Sequence, residues 1–167
     1  MYRSLQENTL ATNPLFTTAE AKDFLKVDTT ADDTLIDNLI KAATQSCEIY
    51  TNRYFLDTLV TQHADKWSDI NTLYKSPVSG LTHIKYYDSN DTLQTLDSSV
   101  YLLDKYAQPA RIGLQPNQSF PNLADRINAI EVKYTVGYGT SSSDVPEGIR
   151  QAVLITIGNW YENRQTV

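Results

Sequence analysis

The chain begins without rhythm: up to Asn13-Pro14 polar groups are scattered, and the segment reads as an arm that orders only where something holds it. Thr17-Thr18-Ala19-Glu20 then has the residues of a capping box, in which the Thr17 hydroxyl takes the N–H of residue 20 and Glu20 reaches back. A short helix is predicted there, with Ala21, Phe24 and Leu25 on one face, ending near Val27-Asp28. Asp32-Asp33 opens a second helix, its carboxylates suited to the positive end of the dipole. From there Ile36, Ile40, Ala43, Cys47, Tyr50 and Tyr54 form one row, and Leu35, Leu39, Ala42, Ser46 and Ile49 a second beside it. Two adjacent rows at helical spacing predict a long helix over 31–54 with a wide apolar face.

After Phe55 the period falls towards 2. Leu59-Val60-Thr61, Leu73-Tyr74 and Leu81 to Tyr87 read as strands. Asp88 to Asp91 is a turn with Thr92 to Leu96 as the returning hairpin strand. Val100 to Leu103 and Arg111 to Leu114 follow, and Ile130, Val132, Tyr134 and Val136 alternate with Glu131, Lys133 and Thr135 as a half-buried strand. Gly137 to Ser143 reads as a flexible linker, and Pro146 opens a last helix whose apolar face is Ile149, Val153, Ile157 and Trp160. The expected fold is α+β. N-terminal helices and a C-terminal helix pack together, with a small antiparallel β region inserted between them. One domain over 1–167 is expected: a flexible arm at 1–15, a helical part at 16–56, a β-rich insertion at 57–140 and the last helix at 144–167.

Composition narrows the function. The net charge of −6 is spread along the chain with no basic segment, which argues against general affinity for nucleic acid or anionic membrane. There is no signal-peptide pattern and no apolar run of membrane-spanning length. A single cysteine offers no internal disulfide. Tyrosine supplies 11 residues against 4 Phe and 2 Trp, and its apolar ring with a polar tip suits surfaces half-buried against another protein.

Candidate chemistry is sparse. Cys47 sits in the apolar helical row and reads as buried and inert. His63-Ala64-Asp65 with Asp69 matches no established zinc spacing, and nothing marks His63 or His83 as the base of a nucleophile. Asp32-Asp33 reads as helix-start charge. Strand, Gly137-Tyr138-Gly139, helix imitates a phosphate loop, but Ser142 stands where a third glycine is needed and no lysine follows Lys133. At the other end Trp160 and Tyr161, about 100° apart on a helix, cannot both occupy the centre of one core face. One of them is expected to face a neighbouring chain or lie under the N-terminal arm.

Three stretches, in this order and spacing, resemble one family. They are Phe16-Thr17-Thr18-Ala19-Glu20-Ala21-Lys22 through Asp28, Asp33 to Thr44 with Cys47 to Arg53, and Tyr134-Thr135-Val136-Gly137-Tyr138-Gly139 with Val145 to Ala152 and Trp160 to Arg164. The chain resembles the head–tail connector (adaptor) proteins of tailed phages, gp6-like or phiE125 gp8-like, from residue 16 onward. The strand-rich block fits the gp8-like branch better. The resemblance implies a non-enzymatic structural virion protein without cofactor or metal, made in the host bacterial cytoplasm and placed at the head–tail interface. It implies a ring of copies, typically twelve, beneath the portal protein, extending a channel through which DNA passes without specific binding. A tail-side stopper or tail protein is the next partner, and no membrane is involved. The family's C-terminal segment docks on the portal, so Trp160, Tyr161, Arg164 and Val167 are the expected protein-contact residues. Two other classes remain open on residues alone: a small ligand- or carbohydrate-binding module using Tyr86, Tyr87 or Tyr101, and an enzyme with a dispersed site at His63 and Asp65.

Overall fold

The computed structural model describes residues 4–9, 11 and 13–163. The chain runs β1 (Ser4–Thr9), α1 (Thr18–Leu25), α2 (Asp33–Thr51), β2 (Thr58–Ala64), β3 (Val78–Tyr87), β4 (Leu93–Thr95), β5 (Tyr101–Asp104), β6 (Arg111–Leu114), β7 (Ile130–Val136) and α3 (Glu147–Glu162). Short 3-10 turns stand at Trp67–Ile70 and Ser142–Asp144.

The expectation of a small β region inserted between packed helices is overturned. The sheet is the major part of a mixed fold: five antiparallel strands in the order β1-β2-β7-β3-β4, with β5 and β6 as a second, two-stranded sheet. It is not confined to the middle of the chain either. Ser4–Thr9, read from sequence as part of the arm, pairs with β2 as an edge strand. β7, last in sequence, lies at the centre between β2 and β3.

Alternation sorts the sheet's side chains. Val60, Gln62 and Ala64 on β2 and Ile130, Val132, Tyr134 and Val136 on β7 point into one core with Ile84, closed from outside by Ile70, Leu73, Ala110, Ile112 and Leu96. Gln62, wholly buried, is satisfied: its Oε1 accepts from the Tyr74 N–H (3.0 Å) and the Tyr134 hydroxyl (3.4 Å), and its Nε2 donates to the Thr72 carbonyl (3.4 Å). The Pro116–Pro121 loop is clamped over this core by Trp67, which stacks on Phe120 (ring centroids 4.4 Å apart) and donates to the Pro121 carbonyl at 2.8 Å. Leu73-Tyr74, expected as a strand, is a buried link whose Leu73 N–H bonds the Ala110 carbonyl.

The three helices enclose a second core of Leu15, Phe16, Ala21, Ile36, Ile40, Ala43, Phe55, Leu56, Val153, Leu154 and Ile157. The capping box at α1 is formed as its residues predict: Glu20 N donates to Thr17 Oγ1 (3.2 Å), and Thr17 N donates to Glu20 Oε2 (2.8 Å). Those bonds hold the Glu20 carboxyl below its ordinary range. α2 is shorter than 31–54 because Asn52 turns left-handed at φ 55° and closes the helix, which frees Tyr54 to enter the sheet core. The stretch expected as a flexible linker is a tight turn. The Asp144 carboxylate accepts from Ser141 N at 3.0 Å, and the Ser141 hydroxyl caps the turn from the other side. Gly137 is required there: a Cβ would stand 2.5 Å from the Asp57 backbone nitrogen.

Candidate functional site

Local contacts lock the helices in place. Lys22 Nζ on α1 pairs with Asp33 Oδ1 on α2 at 2.7 Å, and the Thr18 hydroxyl bonds the Asp37 carboxylate. Phe24 crosses α3 where Gly158 leaves room, 3.3 Å from where a Cβ would sit. Arg150 on α3 bonds Glu147 at 3.0 Å and lies over the Phe16 ring. Between α2 and α3, Cys47 Sγ lies 4.0 Å from Thr156 Oγ1.

That last contact joins the two helices. On α2 the exposed residues after Lys41 are Ala42, Gln45, Ser46, Ile49, Tyr50 and Thr51; on α3 those between Arg150 and Glu162 are Gln151, Ala152, Ile155, Asn159 and Trp160. Ile49 is 70% exposed, Tyr50 92% and Ile155 62%, so large apolar side chains stand in water on both helices, Ile49 on the flank of α2 away from Cys47. A fifth of the chain is charged, yet the exposed positions here carry none. Loss of charge with aromatic and aliphatic enrichment is the signature of a protein–protein interface core.

The C-terminal aromatic pair divides. Tyr161 turns inward against the helical core, and its hydroxyl donates to Asp32 Oδ2 at 2.6 Å. Trp160 turns outward and is 37% exposed, off the buried face formed by Val153, Leu154 and Ile157. Arg164 and Val167 lie outside the described residues. On the other flank of α2, a groove of about 760 Å³ opens between that helix and residues 13–18, over Leu15, Phe16, Ile40 and Phe55. Glu48 lies along it. Its Oε1 accepts from Phe55 N at 2.8 Å, yet burial pushes its carboxyl above the ordinary range. The Tyr54 hydroxyl bonds Glu7 on β1, tying the edge strand to the groove's end; burial and that carboxylate raise the phenol above its ordinary range.

The remaining candidates are scattered. His63 and His83 flank Glu131 on the half-buried outer face of the sheet, with His83 Nε2 2.9 Å from Glu131 Oε1. Asp65 turns away to accept the Asn128 N–H at 2.7 Å, a loop tie that does not orient His63. Among the described residues no group of three or more His, Cys, Asp or Glu is arranged to hold a metal, and no helix is long and apolar enough to cross a membrane. Tyr86 packs beside Trp67, Tyr87 lies under Arg126 with the guanidinium 3.8 Å from its ring centroid, and Tyr101 lies half-buried on the separate β5–β6 sheet. The three do not share a concave face.

The sequence matches the head completion protein family over residues 14–166, nearly the whole chain. The chain belongs to that family, and its role is structural, in the connection of head to tail. The connector resemblance carried by the helix-start and C-terminal stretches agrees with this membership. The fold is similar to a chain in the neck of an empty gene transfer agent (GTA) particle computed with C6 symmetry, with TM-score 0.82 and 22% identity over 98% of this chain and 86% of that one. It is similar to a chain of the native gene transfer agent virion (TM-score 0.80, 22% identity, 98% and 86%). It is also similar to one in the native GTA neck computed with C12 symmetry (0.79, 21%, 98% and 86%). No curated protein gives a significant match.

Proposed function

We propose that the chain is one subunit of a ring, twelve copies in the particle, seated beneath the portal and joining the head to a tail-side component. The observation that carries the reading is the exposure of the large apolar side chains Ile49, Tyr50 and Ile155 on the helices of a member of the head completion family. Apolar side chains left in water by the fold of one chain have a purpose once copies adjoin. The necks of the similar gene transfer agent particles, computed with C6 and C12 symmetry, support a ring in which each copy meets its neighbours through unlike surfaces. The subunit works by shape and makes or breaks no covalent bond. DNA passes through the channel without specific contacts, in keeping with a chain of net charge −6.

The C-terminal end supplies the portal contact. Trp160 presents the outward aromatic surface, Tyr161 fixes the end of α3 through Asp32, and Arg164 and Val167 follow in sequence. Mass measurement of the purified chain mixed with its portal tests the assignment. A complex carrying a ring's worth of subunits is expected, with Trp160→Ala weakening it more than Cys47→Ser. A chain that stays monomeric beside the portal overturns the reading.

A further inference from the structure

The edge strand β1 is attached to the molecule differently from the strands beside it. Of its six residues only Leu5 is apolar, and Gln6, Glu7, Asn8 and Thr9 are exposed. Its ladder with β2 is interrupted, the register slipping between Glu7 and Thr9. β7, by contrast, is bonded along both edges and buries Ile130, Val132, Tyr134 and Val136. A segment that buries little apolar surface opens at a free energy well below that of the whole fold.

Two side-chain ties hold β1 down. The Tyr54 hydroxyl donates to the Glu7 carboxylate, and the Thr61 hydroxyl donates to Asn8 Oδ1 at 2.6 Å. Tyr54 is a fixed post. Its side chain is buried in the sheet core, the Lys75 ammonium lies 5.1 Å from its ring centroid, and the next two residues, Phe55 and Leu56, belong to the helical core. The post stands where the two cores meet, so the Glu7 end of the bond is the one free to move. Beyond β1 the chain returns towards α1 beside the groove, which Glu7, Ala11, Asn13 and Pro14 line together with α2. From Leu15 and Phe16, each 2% exposed, it is anchored in the helical core, so a movement of β1 is taken up before Leu15.

We propose that β1 and the groove-lining residues up to Pro14 form a strap that opens as one unit from an otherwise folded body, with the Tyr54–Glu7 bond as its latch. Closed, the strap covers the edge of β2, whose unpaired N–H and C=O groups would otherwise invite a foreign strand. Open, it bares that edge and the groove beside α2 together, and brings Thr58 and Thr61, 2% and 4% exposed when it is closed, within reach of solvent. The edge is unveiled without unfolding either core, and the device stands independently of the ring reading.

Hydrogen exchange on the full chain tests the latch. The β1 amides bonded to β2 are expected to exchange about a hundredfold faster than those of β7. Tyr54→Phe keeps the ring in the core and removes the hydroxyl, and should speed the β1 amides about tenfold further with β7 unchanged. Equal rates in β1 and β7, or equal acceleration of both by Tyr54→Phe, would mean that β1 leaves only with the whole fold, and overturn the strap. Thiol labelling tests its extent. In a Cys47→Ser background, Thr61→Cys beside β1 and Thr58→Cys in the groove are expected to react under native conditions at rates that Tyr54→Phe raises about tenfold alike. Acceleration at Thr61→Cys with none at Thr58→Cys overturns the joint opening of edge and groove. Exchange in the chain with its cysteine intact keeps the latch falsifiable should either cysteine variant fail to fold.

Discussion

The sheet half and the helical half of this molecule bury their apolar residues to different degrees. In β2 and β7 the alternation is used up: every second side chain is buried, and those between are mostly polar and half-buried. In α2 the apolar face continues past its own core. Ile36, Ile40 and Ala43 are buried, while Tyr50 further along their row and Ala42 and Ile49 on the next row are exposed. The sheet half meets its burial requirement inside the chain. The helical half leaves part of that requirement unmet, and in the proposed ring a neighbour would meet it.

Substitutions can break or sharpen that contrast. The largest effect is expected at Tyr134→Ala in the sheet core, a loss of about 3–5 kcal/mol of unfolding free energy by denaturant titration. A loss below about 1 kcal/mol there would show that the sheet is not the self-sufficient half. Thr17→Ala removes the α1 cap and is expected to cost about 1 kcal/mol, read the same way. Glu48→Gln keeps an acceptor for Phe55 N and removes a charge that burial disfavours. Because the native carboxyl holds its proton above the ordinary value of 4.5, the wild type gives up stability as pH rises through the raised value. The variant does not titrate there, so its thermal advantage should widen from acid to neutral pH, and melts that run parallel across that window would contradict it. The smallest change in stability is expected for Tyr50→Ser with Ile155→Ser, within about 0.5 kcal/mol. The same double variant should lose most ring formation by light scattering, which separates assembly from folding most sharply.

What could be read from the sequence followed the strength of local periodicity. β7 alternates over seven residues and was legible, as was the body of α2, though Asn52 ends that helix earlier than the apolar row suggests. The weight of the sheet was not legible, because strand order is set by partners far apart in sequence. Nothing local to Ile130–Val136 says that it separates β2 from β3. β1 was missed for a related reason. An edge strand has one neighbour, only Leu5 among its six residues is apolar, and it is held by a main-chain ladder with side-chain ties such as Tyr54 to Glu7 and Thr61 to Asn8. Ile49 and Tyr50 extend the apolar rows yet stand exposed, and periodicity alone does not say how much of a wide apolar face the chain itself covers. At the C-terminus the spacing argument required Trp160 and Tyr161 to part, and the bond to Asp32 decided that tyrosine goes inward.

The central position of β7 has a consequence for biosynthesis. As the polypeptide leaves the ribosome, β2 and β3 emerge long before the strand that must lie between them, and the main sheet cannot close until Val136 is out. α3, and with it Ile155 and Trp160, emerges later still. In the proposed ring, part of the contact surface would thus be made last, after the scaffold beneath it can close, so incomplete chains on one messenger would lack the means to join their finished neighbours.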